Sequence, residues 1–313
     1  MIVYQVHHMW YESSMIDECW HSILQALRAA PDVDVKVKIC FNMQTYIEKP
    51  EVDNHRLMLT KWDSHPLMQD YKPELVIKND DQPFYNIADW RREVYDPEAK
   101  YTVWGETDTI LPRDIFGILD KVEINQPHVL TFAGRPMWDN SWDVVTHERL
   151  QGYSKPCQCK PHKDDCIELL EAPWKYKDYI TQKELDKFND ESGDIKIQQV
   201  PHKIDGSTVC LSGGIETPFI APGMHFVRED TCLEYYLRKK NIPQVCITSR
   251  LKGHNYKHPN KRVGTNATRN DEVFKKYKPL LEFKSFSERV LKLFKYFTPV
   301  SLIEEFTIFM LFQ

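Results

Sequence analysis

The chain has 313 residues, of which 42% are hydrophobic, so it can bury a substantial core. Only 11 residues are glycine, about half the usual share, and neither a G-x-G-x-x-G nor a G-x-x-x-x-G-K-[ST] pattern occurs. These features disfavour a dinucleotide-binding Rossmann site and a P-loop. The net charge is -5, but residues 233–285 carry 13 Lys or Arg against 4 Asp or Glu. That basic stretch could hold phosphates, or it could simply be a set of lysine-rich solvated faces.

The first forty residues predict a strand, a helix and a second strand. Ile2–Val6 favours β-structure, and Ser14-Met15-Ile16-Asp17 is typical of a capping box that opens a helix. Apolar residues then recur every three or four positions up to Leu27, which predicts a helix with one buried face. From Val33 to Ile39 apolar and polar residues alternate, as in a half-buried strand. This order begins a βαβ unit.

Strands and helices continue to alternate along the chain. Further strands are predicted at 74–78, 101–104, 128–132 and 245–248, and further helices at 83–95, 114–122 and 231–240. We therefore expect an α/β fold with a mostly parallel, Rossmann-type sheet that binds ligands at the carboxyl ends of its strands. Residues 151–192 are rich in Cys, Pro and Lys and predict an insertion, with regular structure returning near Gly206. The domain is expected to span residues 1–285, followed by a helical C-terminal tail over 286–313.

An acidic turn follows the strand predicted at 101–104. In an extended chain, residues two apart project to the same side, so Glu106 and Asp108 would bring two carboxylates together at the end of this strand. Such oxygen ligands suit Mg²⁺ or Mn²⁺ bridging to a diphosphate, whose charge the metal would neutralise as a nucleotide diphosphate departs. The alternative is that both are ordinary turn residues after an edge strand.

The surroundings of this turn resemble those in glycosyltransferases of the GT-A fold. A helix carrying Trp90-Arg91-Arg92 is followed by an apolar strand, the acidic turn, a proline and another helix. In that family the D-x-D carboxylates hold the metal of a nucleotide sugar. The resemblance, which covers about residues 1–258, implies that Asp108 binds Mn²⁺ or Mg²⁺. Glu106 departs from the usual aspartate and is expected to be a weaker metal ligand or a sugar contact, with Arg91 or Arg92 near the diphosphate or sugar.

A second motif lies in residues 223–234, which resemble the E-D motif of inverting, family-2 type glycosyltransferases. The resemblance implies that Asp230 is the general base that deprotonates the acceptor hydroxyl, with Glu229 beside it in the substrate site. An inverting transfer needs such an ionised carboxylate opposite the leaving group. Alternatively, Asp230 only caps a helix that starts at the next residue. The resemblance also implies a third metal ligand, His254 or in its place His258; a surface histidine is the alternative reading.

A cysteine and histidine cluster occupies the predicted insertion. Cys157, Cys159, His162 and Cys166 lie within ten residues and could complete a closed, structural Zn²⁺ site. Zinc would also order a segment that has almost no apolar core. Free thiols, or a disulfide from Cys157 or Cys159 to Cys166, are the alternatives. The spacing differs from the C-x2-C ladders of nucleic-acid zinc fingers.

The predicted function is a metal-dependent glycosyltransferase that moves a sugar from a nucleotide-diphosphate sugar, with a UDP-sugar favoured, to an acceptor hydroxyl with inversion. The acceptor could be a glycan or, given the basic stretch, DNA with hydroxymethylated bases, which some viral enzymes resembling this fold glycosylate. Trp138 and Trp142 could stack on a sugar or base, or could pack in the core. The alternatives are a nucleotidyltransferase, which would normally bring a glycine-rich phosphate loop, and a non-catalytic, zinc-stabilised nucleic-acid-binding protein.

The sequence predicts no membrane span. No basic leader followed by an apolar core is visible at the N-terminus, and residues 298–312 contain Glu304 and Glu305 and are too short to cross a bilayer. The eight cysteines are therefore expected to be reduced thiols or metal ligands. We expect a cytoplasmic protein, in the cytoplasm of the host if it is viral.

Overall fold

The computed structural model describes residues 1–44, 54–82, 85–136, 140–151, 180–217, 219–220 and 229–254. Within these residues the strands are β1 (Ile2–Met9), β2 (Val35–Asn42), β3 (Glu74–Lys78), β4 (Tyr101–Glu106), β5 (Thr109–Ile110), β6 (Val129–Ala133), β7 (Ile197–Val200), β8 (Val209–Ser212), β9 (Gln244–Leu251) and β10 (Gly253–His254). The α-helices are α1 (Ile16–Arg28), α2 (Asn54–Ser64), α3 (Pro66–Tyr71), α4 (Ile87–Val94), α5 (Ile115–Lys121), α6 (Gln182–Asp190) and α7 (Glu229–Lys239). None of the helices in this part of the chain is long and apolar enough to cross a membrane.

The described strands build one large sheet in the order β3-β2-β1-β4-β8-β6-β9-β7, and β5 pairs separately with β10. Six strands of the large sheet run in the same direction, while β8 is antiparallel to β4 and β6, and β7 is antiparallel to β9. Helices connect many of these strands, so the predicted α/β fold with a mostly parallel sheet is confirmed. The two reversed strands were not expected from the sequence.

The predicted capping box at Ser14 is wrong, although the helix that it was expected to open is present. A 3-10 helix over Trp10–Met15 runs directly into α1, and the N-cap residue Met15 makes no side-chain hydrogen bond. Because the chain already turns helically before α1, Ser14 does not begin the helix. The predicted buried face of α1 is confirmed at Ile16, Cys19, Trp20, Ile23, Leu24 and Leu27.

Both faces of the sheet are covered. Tyr4 and Val6 of β1 pack with α1 and α5 in the largest apolar cluster, which also contains Trp20 and Phe116. The alternate residues of β1 point to the opposite face, where α4 packs through Trp90 against Cys40 of β2. Because both faces are covered, every residue of β1 except Met9 is buried, including the polar Gln5, His7 and His8.

The chain changes direction across the sheet between β1 and β4. From β1 it adds β2 and then β3 on one side, and it then crosses over to place β4 against the other side of β1. In open α/β sheets, ligands bind outside the carboxyl ends of the strands at such a topological switch point. Since β8 is antiparallel to β4, the residues that precede β8 also lie at this edge. The edge therefore gathers the ends of β1 and β4 and the segment before β8.

Regular structure returns earlier than the predicted position near Gly206. Helix α6 begins after Thr181, which forms a capping box with Glu184, and it buries Leu185 and Phe188 against Leu251 of β9. Residues 152–179 of the predicted insertion and the tail 286–313 lie outside the described residues. The domain boundaries therefore stay predictions.

Candidate functional site

The acidic turn lies at the carboxyl end of β4, as predicted, but its two carboxylates have different partners. Strand β4 ends at Glu106, and Thr107 and Asp108 form a turn before β5. The rule that alternate residues share a side holds only for an extended chain, and the chain is not extended here. Glu106 contacts Arg91 of α4, whereas Asp108 lies beside His254 of β10.

Asp108 and His254 come together because β10 pairs with β5. His254 lies opposite Thr109 in this antiparallel ladder, which brings its Nδ1 atom to 3.8 Å from Oδ1 of Asp108. The Asp108 side chain is 1% exposed, while that of His254 is 29% exposed. Two ligand atoms each about 2.1 Å from one cation are at most about 4.2 Å apart, so this separation is compatible with a shared metal ion. No group of three or more potential ligands is present among the described residues.

A buried chain of hydrogen bonds fixes the position of the acidic turn. The indole of Trp20 donates to Nε2 of His8 at 2.9 Å, so the ring hydrogen of His8 is on Nδ1. That nitrogen lies 3.0 Å from Oγ1 of Thr107, whose hydroxyl donates to Oε2 of Glu12 at 2.6 Å. Thr107 is the middle residue of the acidic turn. The network therefore fixes the backbone between Glu106 and Asp108.

Arg91 occupies the centre of the site and is completely buried. Its Nη1 atom donates to Glu229 at 2.6 Å, and its Nη2 atom donates to Glu106 at 3.1 Å and to the carbonyl of Gly206 at 2.7 Å. The guanidinium stacks over the ring of Trp104, 4.6 Å from its centroid. Arg91 was predicted to lie near a diphosphate or sugar, but protein groups surround it in this structure. Arg92, the other candidate, pairs with Asp89 on the same helix.

Glu229 and Asp230 lie in the first turn of α7, next to the acidic turn. The helix begins at Glu229, so Asp230 is not the N-cap of a helix starting at Thr231. Burial, together with Asp230 and Glu106, raises the pKa of Glu229 to about 7 against the opposing effect of Arg91. Burial also raises the pKa of Asp230, while the Thr231 amide and Arg91 oppose that shift. Both carboxyl groups therefore have electrostatics typical of functional sites.

A second buried cation at this edge was not anticipated. Lys252 comes directly after β9 and is 3% exposed, and its ammonium group pairs with Asp205 and donates to the carbonyl of Ser207. Asp205 also accepts a hydrogen bond from the Ser207 amide at 3.2 Å and is close enough to contribute to the raised pKa of Asp230. The available signal for Lys252 was a basic residue shortly after the strand predicted at 245–248. Asp205 had no such signal, because β8 was not predicted.

Several predicted site residues cannot be compared with the structure. Trp138, His258 and the zinc candidates Cys157, Cys159, His162 and Cys166 lie outside the described residues, as does all of the basic stretch beyond His254. The structural Zn²⁺ site stays a prediction, which elemental analysis of protein purified without added zinc would test. Trp142 is described, and its ring lies 5.0 Å from Nζ of Lys203.

Comparisons with known proteins give little beyond a distant structural likeness. No protein-family model matches the chain, and no curated protein matches it. The crystal structure of a proposed nucleotide-diphospho-sugar transferase from Desulfovibrio desulfuricans G20 is similar over 90% of this chain and 97% of that chain, with 7% sequence identity and a TM-score of 0.38. A TM-score this low does not bear on the function of this chain.

Proposed function

We propose that this protein is a metal-dependent glycosyltransferase that moves a sugar from a nucleotide-diphosphate sugar, with a UDP-sugar favoured, to an acceptor hydroxyl with inversion. The observation that carries the proposal is the gathering of two acidic motifs at the topological switch point. Glu106 and Asp108 follow β4, and Glu229 and Asp230 begin α7. Arg91 joins the two motifs through Glu106 and Glu229.

The first motif would serve the donor. Asp108 and His254 would hold Mn²⁺ or Mg²⁺, and Glu106 would be a weaker ligand or a sugar contact. The cation, when bound, supplies positive charge that stabilises a departing diphosphate. The buried carboxylate of Asp108 fits this role, because a carboxylate removed from water gains most from a cationic partner.

The second motif would serve the acceptor. Asp230 takes the proton of the acceptor hydroxyl while the acceptor oxygen bonds to the anomeric carbon and the bond to the diphosphate oxygen breaks. A base opposite the leaving group directs a single displacement, so the anomeric configuration inverts. Asp230 is half-buried at the edge of the site, which leaves its carboxylate accessible to an acceptor. We propose that the acceptor is a glycan or hydroxymethylated DNA.

Calorimetry with Mn²⁺ and a panel of nucleotide sugars tests the donor half of the proposal. We expect the parent protein to bind one class of donor, with UDP-sugars first in the panel, and Asp108→Asn to lose the metal-dependent part of that binding. Asp190→Asn, which removes a carboxylate from an exposed ion pair with Arg113, is the control. Absence of binding to every donor, or equal affinity in Asp108→Asn and the parent, would overturn the assignment.

Product analysis tests the acceptor half. Protein that binds a donor is incubated with glycan acceptors and with hydroxymethylated DNA, and the anomeric configuration of the product is read by NMR spectroscopy. We expect transfer to one acceptor class with inversion. A product of retained configuration would show that Asp230 is not the base of a single displacement.

A further inference from the structure

Arg91 connects three segments that are far apart in the chain. Glu106 ends β4, Gly206 precedes β8, and Glu229 begins α7, and all three accept hydrogen bonds from the two terminal nitrogens of the same guanidinium. We refer to these contacts of Arg91 with Glu106, Gly206 and Glu229 as the Arg91 bridge. The bridge spans 138 residues between Arg91 and Glu229.

The geometry of the bridge is set by packing as well as by charge. The guanidinium is planar and stacks over the Trp104 ring, which restricts its orientation. Gly206 can approach because it lacks a side chain: a Cβ atom there would lie 2.7 Å from Oε1 of Glu106. The three acceptors are therefore held at separations that the rigid fork of Arg91 dictates.

We propose that Arg91 is a positioning residue that makes no contact with the donor and that sets the first turn of α7, with Asp230, in register with the acidic turn. This inference rests on the proposed function, since it takes Asp230 as the base. It replaces the expectation that Arg91 binds the diphosphate or sugar. It follows from the zero exposure of Arg91 and from its three protein acceptors.

From these contacts we expect a change at Arg91 to affect catalysis more than donor binding. Asp108 and His254 contact each other through the pairing of β5 with β10, which does not involve α4. Of the proposed donor-site groups, only the weaker ligand Glu106 belongs to the bridge, so a loosened bridge should change metal and nucleotide binding much less than transfer. It should misplace Asp230, and a misplacement of about 1 Å can lower a rate by about 10²-fold.

The test compares Arg91→Lys with the parent. Lysine keeps a positive charge at this buried position, so we expect the fold to be retained, but its single ammonium group cannot reproduce the planar fork. We expect kcat to fall about 10- to 100-fold, while the affinity for UDP with Mn²⁺ stays within about threefold of the parent. A loss of nucleotide affinity by the same factor as kcat would show that Arg91 holds the donor, and a kcat within threefold of the parent would show that the bridge positions nothing.

Arg250→Lys is the matched control. Arg250 also binds three acceptors, Asp114 and the carbonyls of Gly193 and Ser249, but none of them belongs to the acidic motifs. We expect this variant to keep both kcat and nucleotide affinity. Equal losses in the two variants would mean that any change to a bridging arginine disturbs the fold, which would also overturn the inference.

Amide hydrogen exchange separates a failure of this inference from a failure of the proposed function. In Arg91→Lys we expect faster exchange in residues 233–237 of α7 and unchanged exchange in α1, whether or not the protein transfers sugar. A parent protein without nucleotide binding or transfer, combined with this local loosening, would overturn the proposed function but keep the bridge. Unchanged exchange in α7 would overturn the bridge itself.

Discussion

The two faces of the sheet bury different kinds of side chain. The face that packs on α1 and α5 is mostly apolar, and His8, which lies there, has hydrogen bonds to both ring nitrogens. The α4 face carries Gln5 and His7 of β1 and Trp104 of β4, and the buried Arg91 lies over Trp104. Burial lowers the pKa of His7 to about 3, which keeps that ring neutral at ordinary pH.

Because of this difference, we expect the two faces to contribute differently to stability and to activity. Apolar burial stabilises by about 25 cal/mol for each Å² removed from water, so the α1 face should supply much of the stability. Buried polar groups add little net stability but require defined partners, so the α4 face should supply the geometry around Arg91. Changes on the first face should therefore reduce stability, and changes at the site edge should reduce activity.

The largest effect is expected for Asp230→Asn at the site edge. The amide keeps the size of the side chain but cannot accept the proton of the acceptor, so transfer should fall about 10²–10⁴-fold. Stability should change by less than about 1 kcal/mol, the usual contribution of an acidic group in a first helical turn. Steady-state kinetics and urea unfolding measure the two quantities. Glu234→Gln, one turn further along α7, is the control, and a rate within tenfold of the parent would refute the role as base.

Next in size is Phe116→Ala on the apolar face. Phe116 is fully buried, with its ring 6.0 Å from that of Tyr4, and truncation of such a residue costs about 3–5 kcal/mol. Urea unfolding should show this loss, while the rate per folded molecule and the nucleotide affinity stay near those of the parent. If transfer fell together with stability, the division between the faces would be incorrect.

A third prediction concerns the pH dependence of stability. The pKa of Glu229 is about 7 in the folded protein, compared with an ordinary value of 4.5, so the folded state binds this proton more tightly than the unfolded state. The stabilisation from the protonated carboxyl is complete below pH 4.5 and is lost as the pH rises to 7. The free energy of unfolding of the parent should therefore fall by about 3 kcal/mol relative to that of Glu229→Gln across this range.

Urea unfolding at several pH values between 4.5 and 8 measures this difference. Glu234→Gln again serves as the control for removing a carboxylate from α7. A constant difference between the parent and Glu229→Gln over the whole range would mean that Arg91 keeps Glu229 ionised throughout.

The smallest effect is expected for Gln5→Leu on the α4 face. Gln5 is fully buried, and neither of its amide atoms has a hydrogen-bond partner among the described residues. Replacing it by an apolar side chain of similar size should raise the unfolding free energy by about 1 kcal/mol. Gln44→Leu is the matched comparison, since the amide of Gln44 donates to Asn79 and accepts from Tyr85. A rise in the unfolding free energy for Gln5→Leu and a fall for Gln44→Leu would support this account. Destabilisation by Gln5→Leu would contradict it.

Much of the fold follows from local patterns in the sequence. Runs of β-favouring residues and periodic apolar residues predicted the strands from β1 to β4, β6 and β9, and the helices α1, α4, α5 and α7, because burial leaves such local patterns in the sequence. The motifs at Glu106-Thr107-Asp108 and Glu229-Asp230 were also located correctly at the end of a strand and the start of a helix.

Contacts between distant segments were decided only by the tertiary structure. The insertion of β8 between β4 and β6, the pairing of β10 with β5 and the Arg91 bridge all join residues whose separation leaves no periodic trace in the sequence. The sequence predicted Arg91 near a diphosphate or sugar, whereas its observed partners Glu106, Gly206 and Glu229 depend on how distant elements pack. Local sequence determines which residues are apolar and which are charged, whereas the packing of whole elements determines which charged groups contact each other.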